Sequence, residues 1–250
     1  MIILFGALLV SYIFPLALYF YLRNAHKDDK EYKKDCWNLL WNGLLLGFPV
    51  FGFSLLCNIL FGFSHISDRF PIIEMFFSAF ILKALSEELM KYLLARKVIN
   101  RNHAKISFLD LMAYTTISAI GFEMMEAVVY VFSSDVTQVI VRGVTNMHAA
   151  FGLIMGYIIA KGYKKNMKNP VPLGIFVSTL IHGIYDLCLS ETLIDTDWFM
   201  LSLLIAAICL VINIYNYFFM NKARKNQYYT DPLFSEEGND LSDTGMAAGE

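Results

Sequence analysis

Long apolar windows separated by short polar connections dominate the chain. They fall at about 2–22, 37–62, 71–95, 108–133, 138–160, 171–189 and 198–220. Each can cross a hydrocarbon core of ~30 Å, which takes about 20 helical residues. None alternates with a period of two, so the pattern predicts helices rather than barrel strands. The connections are too short to hold a soluble catalytic domain. Any chemistry therefore sits inside the bundle or on the final tail. The expected fold is all-α: a polytopic membrane helical bundle over residues 1–220 with about seven transmembrane helices. Its motif-bearing core is 71–190, the third to sixth spans. The polar, acidic stretch 221–250 reads as a disordered cytoplasmic tail.

Composition agrees. The 250 residues are 57% hydrophobic and 17% charged, against roughly 45–50% and 25% in soluble domains. Mean hydropathy is +0.51. Twenty basic against 22 acidic residues leave a net charge of −2, which excludes a global nucleic-acid-binding character. Cys36, Cys57, Cys188 and Cys209 lie in or beside apolar stretches with no CxxC, so they read as small buried hydrophobes. The first 22 residues have no basic leader or small-residue cleavage site and read as an uncleaved span.

Charge inside the spans changes the picture. An ionisable group at mid-helix costs roughly 2.5–3.5 kcal/mol on insertion scales, yet four consecutive spans carry several. The third holds Lys83, Glu87, Glu88 and Lys91, and the fourth Glu123 and Glu126. Arg142 and His148 lie in the fifth, His182 and Asp186 in the sixth. The cores of the first, second and seventh spans have none. This segregation implies one polar cavity enclosed by apolar helices. Counting 1.5 Å per residue puts Glu87 ~18 Å below the outer surface, both histidines ~14 Å, and Glu126 and Asp186 ~8 Å.

Helical spacing pairs these groups. Glu87 and Lys91 are i,i+4, Glu88 and Lys91 are i,i+3, and His182 and Asp186 are i,i+4. Two adjacent glutamates in low dielectric do not both ionise cheaply, which divides them into a base and an acid. Gly121, Gly143, Gly152, Gly156 and Gly183 allow close helix approach. Lys83 and Arg142 read as snorkelling side chains, and Glu74 and Asp110 as interfacial. His148 alone reads equally well as a helix–helix hydrogen bond.

Glu87-Glu88-x-x-Lys91, Phe122-x-x-x-Glu126, His148-x-x-x-Gly152 and His182-x-x-x-Asp186 together resemble the ordered motifs of the PrsW family of intramembrane proteases. That family is related to the CAAX-processing and bacteriocin-immunity membrane proteins. The resemblance covers residues 83–190. It implies a membrane enzyme that hydrolyses peptide bonds with a glutamate-activated water, acting on a membrane-anchored protein such as an anti-sigma factor. CAAX endopeptidases carry FxxxH and HxxxN where this chain has Glu126 and Asp186, which argues against prenylated substrates. Carried over, Glu87 is the general base, Glu88 shares its proton or holds the water, and Lys91 balances charge. His182 donates to the developing oxyanion, assisted by Asp186. Glu126 protonates the leaving amine, and His148 is a further donor.

This reading includes no cofactor and no metal: there is no HExxH, and Lys91 would oppose a dication. Three alternatives stand beside it. A zinc-dependent protease is compatible with His and carboxylate ligands. A proton-coupled transporter is compatible with intramembrane Glu and His, though no repeat is present. An immunity or scaffold protein would keep the motifs without turnover.

Orientation follows from the basic residues. Sixteen of the twenty lie in 23–36, 96–107, 161–170 and after 221, all on one side of the seven-span arrangement, whereas the opposite connections hold only Arg69. The positive-inside rule puts the N-terminus outside and the C-terminus in the cytoplasm of a cell-membrane protein. Reporter fusions after residues 30, 100, 165 and 225 are expected to read cytoplasmic; an outside signal at 165 would break the seven-span arrangement.

Overall fold

The computed structural model describes residues 2–61, 71–132, 136–190, 193 and 197–234. They form α1 (Ile2–Arg23), α2 (Lys30–Phe61), α3 (Pro71–Phe77), a π-helical segment (Ser78–Leu85) and α4 (Ser86–Arg101). Then come α5 (Phe108–Phe132), α6 (Val136–Thr145), α7 (Met147–Lys164), α8 (Val171–Cys188), α9 (Trp198–Ala223) and the short α10 (Gln227–Thr230). Among the described residues the one β feature is an isolated bridge between Ser107 and Pro232. The chain is an all-α, multi-pass membrane bundle.

Six of these helical stretches are apolar and long enough to cross a membrane: Phe5–Arg23, Lys30–Cys57, Phe108–Phe132, Val139–Lys164, Val171–Cys188 and Trp198–Ala223. The expected third span is helical throughout, from α3 through the π segment into α4. Its Lys83, Glu87, Glu88 and Lys91 remove it from any count by hydropathy, although its length suffices. α2 starts at Lys30, two turns before the apolar window, because Asp29 Oδ1 accepts from the Tyr32 N–H at 2.9 Å and the polar first turns stay helical.

α5 is the hub. Every residue from Phe108 to Met124 is buried, and the helix packs against α1, α2, α4, α6 and α7. Small residues permit this. A Cβ on Gly121 would lie 2.2 Å from Leu40 O, and one on Gly43 2.4 Å from Ser118 O, so α2 and α5 meet backbone to backbone. On the opposite face Gly156 of α7 lies against Met112 and Thr115. The outer faces present Phe5, Leu55, Val211 and Phe218, each more than half exposed, as expected of lipid-facing surface.

The expected fifth span is not one helix. Asn146 adopts a left-handed conformation (φ 49°, ψ 54°) and separates α6 from α7. In a membrane the freed carbonyls have no water to turn to. Asn213 of α9 bridges the break: its Nδ2 donates to Thr145 O and Asn146 O at 2.9 Å each, and Asn146 O also accepts the Ala150 N–H that opens α7.

One reading gains detail and another expectation changes. Asp110, in the first turn of α5, is buried and closes a capping box: its N–H donates to Ser107 Oγ, and its Oδ2 accepts from Ser107. Its Oδ1 accepts from His26 Nε2 at 2.7 Å. That hydrogen bond outweighs desolvation and raises the imidazole above its ordinary value. Its contribution is complete below the ordinary imidazole range and is lost as pH rises through the raised one. Residues 221–234, expected to belong to a disordered tail, are folded. The Leu233 N–H donates to Ile106 O at 2.8 Å, Leu233 and Phe234 are buried, and Phe234 stacks on His103 with ring centroids 4.0 Å apart. Apolar side chains within the polar stretch make this strap. The remaining tail, 235–250, lies outside the described residues.

The four cysteines are free and buried. Close α2–α5 contact makes Gly121→Val an overpacking change, expected to destabilise by about 1–3 kcal/mol or more. Gly52→Val, where a Cβ meets nothing within 4 Å, is expected to leave the melting temperature in detergent within a degree or two of wild type.

Candidate active site

The buried stripe of α4 runs Glu87, Glu88, Lys91, Tyr92, Ala95, Val98, Ile99, a helical period that points the motif inward. The π segment just before it widens the turn, a device common beside functional sites. Opposite stand Glu123 and Glu126 of α5, Arg142 near the end of α6, His148 in the first turn of α7, and His182 and Asp186 of α8. Glu87, Glu88 and Lys91 with these six make nine buried polar residues, none more than 8% exposed. The seven residues expected to form the site are therefore brought together.

Their contacts close a ring. Arg142 Nη1 donates to Glu126 Oε2 at 2.6 Å, and His148 Nε2 donates to the same oxygen at 2.6 Å. Lys91 Nζ donates to His148 Nδ1 and to Glu88 Oε1, both at 2.8 Å. Glu88 Oε1 also accepts from His182 Nδ1 at 2.9 Å. His182 Nε2 lies 3.5 Å from Asp186 Oδ2, and Asp186 Oδ1 lies 3.6 Å from Arg142 Nη2, which returns to the start.

Glu87 sits across this ring. Its Oε2 is 3.5 Å from Lys91 Nζ, 3.9 Å from His148 Nε2 and 3.8 Å from His182 Nε2. That oxygen and Glu88 Oε2 are buried with no hydrogen-bond partner. Such buried acceptors call for a water or an ion. Aromatic rings form the walls: Phe122 lies under Lys91 and edge-on to His148, and Phe151 stacks on His182 at 5.0 Å.

Two site residues were not assigned from the sequence. Arg142, expected to snorkel, is buried and paired with Glu126 and Asp186, and its guanidinium lies 4.6 Å from the Tyr130 ring centroid. Burial follows because α6 is short and ends inside the bundle, leaving no path to an interface. Glu123 accepts the His148 N–H at 2.9 Å. It satisfies an amide left free where α7 begins anew after Asn146. The available signal was the i,i+3 relation of Glu123 to Glu126 and the excess of carboxylates over cations. Lys83, by contrast, is exposed.

Comparison with known proteins fits this arrangement. The model of the family described as "PrsW family intramembrane metalloprotease" matches residues 33–214. The chain belongs to the PrsW family. Protease PrsW of Oceanobacillus iheyensis is 30% identical over 171 residues, covering 65% of this chain and 80% of that protein. Protease PrsW of Halalkalibacterium halodurans is 29% identical over 196 residues, covering 72% and 82%. The counterpart in Clostridioides difficile is 26% identical over 147 residues, covering 55% and 60%. No solved structure matches. The chain is thus an intramembrane peptidase, embedded in a lipid bilayer.

The family description includes a metal, so the donor set bears on it. Ligand atoms of Glu87, His148 and His182 lie within 4.8 Å of one another. Two imidazoles and a carboxylate are a catalytic zinc donor set, which leaves one position for water. Five carboxylates against the two fixed cations Lys91 and Arg142 leave an excess of negative charge for a dication to balance. Glu87 Oε2, buried without a hydrogen bond, points the same way. The residues fit once His148 changes tautomer: Nε2, which now donates to Glu126, would take the ion, and Nδ1 would carry the proton in place of the lone pair that now faces Lys91.

Glu123→Ala is expected to destabilise the protein by about 0.5–2 kcal/mol, the usual cost of a lost helix cap. Glu123→Gln keeps an acceptor and is expected to recover most of this. Thermal unfolding of the purified variants in one detergent checks both.

Proposed function

We propose that this chain hydrolyses a peptide bond at the membrane-spanning segment of a membrane-anchored protein, using water held at Glu87. The observation that carries the reading is the buried Glu87 Oε2, which accepts no hydrogen bond and faces the Nε2 atoms of both histidines. Glu87 accepts the proton of the attacking water. Glu88 is engaged by Lys91 and His182 and serves to orient them. His182 donates to the oxyanion, with Asp186 beside it. The proton shared between His148 and Glu126 is placed to reach the leaving amine. In a second reading a divalent ion held by Glu87, His148 and His182 would take the place of these proton roles, supplying a Lewis acid and a water that ionises near neutral pH.

The first reading, a metal-free glutamate centre, is favoured by Lys91, already a cation within 2.8 Å of Glu88 and His148. An anti-sigma factor is the type of substrate that the motif resemblance supports. With the N-terminus outside and the C-terminus cytoplasmic, the depths of Glu126, His148, His182 and Asp186 favour a cut near the outer boundary of the substrate's span.

Membrane proteomics of cells carrying wild type and Glu87→Gln is expected to reveal a full-length single-span protein that accumulates in the variant. Loss of the base is expected to lower the cleavage rate by roughly 10²–10⁴-fold, with the variant still present in the membrane. A double Glu87→Gln, Glu88→Gln variant that still cleaves would refute the site. Chelation followed by metal add-back separates the two readings, because only a metal enzyme loses and regains activity. A new product N-terminus on the cytoplasmic flank would overturn the depth argument.

A further inference from the structure

Arg142 belongs to none of the four motifs and touches neither histidine. Its guanidinium nonetheless reaches Glu126 and Asp186, the carboxylates nearest the Nε2 atoms of His148 and His182 respectively. One nitrogen donates to Glu126 Oε2 at 2.6 Å, the oxygen shared with His148 Nε2. The other lies 3.6 Å from Asp186, whose second oxygen is 3.5 Å from His182 Nε2. These two rings come from different helices, α7 and α8, and lie 5.0 Å apart between centroids. No other fixed cation among the described residues is paired with both carboxylates. Tyr130 and Tyr185 flank the guanidinium at 4.6 and 5.5 Å, restricting where it can move.

We propose that Arg142 is a positioning residue that sets the spacing of the His148 and His182 Nε2 atoms across Glu87 by holding Glu126 and Asp186 in one planar fork. The inference adds to the proposed function and rests on that reading for its kinetic consequence alone. The fork is what distinguishes arginine here. A lysine would supply the charge as a single point and could not hold two carboxylates on fixed lines. Outer residues that orient a centre's ligands typically change affinity or activity by about 10–100-fold when replaced.

The test uses the full chain in detergent with its histidines labelled with ¹⁵N. The ring resonances are assigned through His148→Gln and His182→Gln. Arg142→Lys is expected to fold, to shift the ring nitrogens of both His148 and His182, and to leave those of His26 and His103 in place. It is also expected to lower kcat, measured on the single-span protein that accumulates in the Glu87→Gln membranes, by about 10–100-fold with KM within about twofold. Unmoved rings, or movement of only one, would overturn the proposal, as would unchanged kcat beside normal cleavage by wild type. If wild type cleaves nothing, the proposed function fails while the ring resonances still decide the role of Arg142. If Arg142→Lys does not accumulate, Glu126→Gln is measured instead. It weakens one arm of the fork, so both rings are expected to shift; a change confined to His148 would count against the coupling.

Discussion

Five carboxylates buried in the middle of a membrane protein are the constraint on which the rest of the structure depends. Taking an ion out of water costs several kcal/mol even after relaxation, and removing one partner of a buried pair costs about 3–5 kcal/mol. Glu87, Glu88, Glu123, Glu126 and Asp186 can be buried together only because Lys91, Arg142 and two imidazoles stand between them. The closed ring of contacts makes the arrangement mutual: no member can leave without stranding two neighbours. Five helices, α4 through α8, are tied by it. The leftovers are Glu87 Oε2 and Glu88 Oε2, which accept no hydrogen bond, and Glu87 Oε2, facing both histidines, is where the chemistry has room.

Such a ring demands a rigid frame, and the frame is built from small residues. Backbone contact of α2 with α5 at Gly43 and Gly121, and of α7 with α5 at Gly156, fixes α5 on two sides. With α5 held, Glu123 and Glu126 have defined heights. The broken α6–α7 span then does two jobs at once. It frees the His148 N–H to bond Glu123, and it lets α6 end early enough for Arg142 to remain inside.

Much of this was legible in the residues. Spacings of three and four within the third and sixth spans identify Glu87, Glu88, Lys91, His182 and Asp186 as one-sided groups, and depth counting put them in one layer. The pattern also separated charge-bearing from charge-free spans. What escaped depends on backbone geometry that apolar periodicity does not encode. The left-handed turn at Asn146 interrupts a window that reads as uniformly apolar, so Arg142 looked like a residue near a span end. Glu123 was visible as a charge but had no partner until that turn exposed an amide. The strap ending in Leu233 and Phe234 was hidden because two apolar residues in an acidic stretch carry no periodicity.

The ring also has an order in time. Glu88 and Asp186 are 98 residues apart in the chain, and at about 5–20 residues per second of synthesis the ribosome needs roughly 5–20 s to supply the second after the first. Through that interval the segment with Glu87, Glu88 and Lys91, too polar to partition into lipid by itself, waits for helices that have not been made. Its place in the bilayer is therefore a debt to later sequence. Truncation anywhere before Asp186 would leave a nascent chain with an intact motif and no stable home for it.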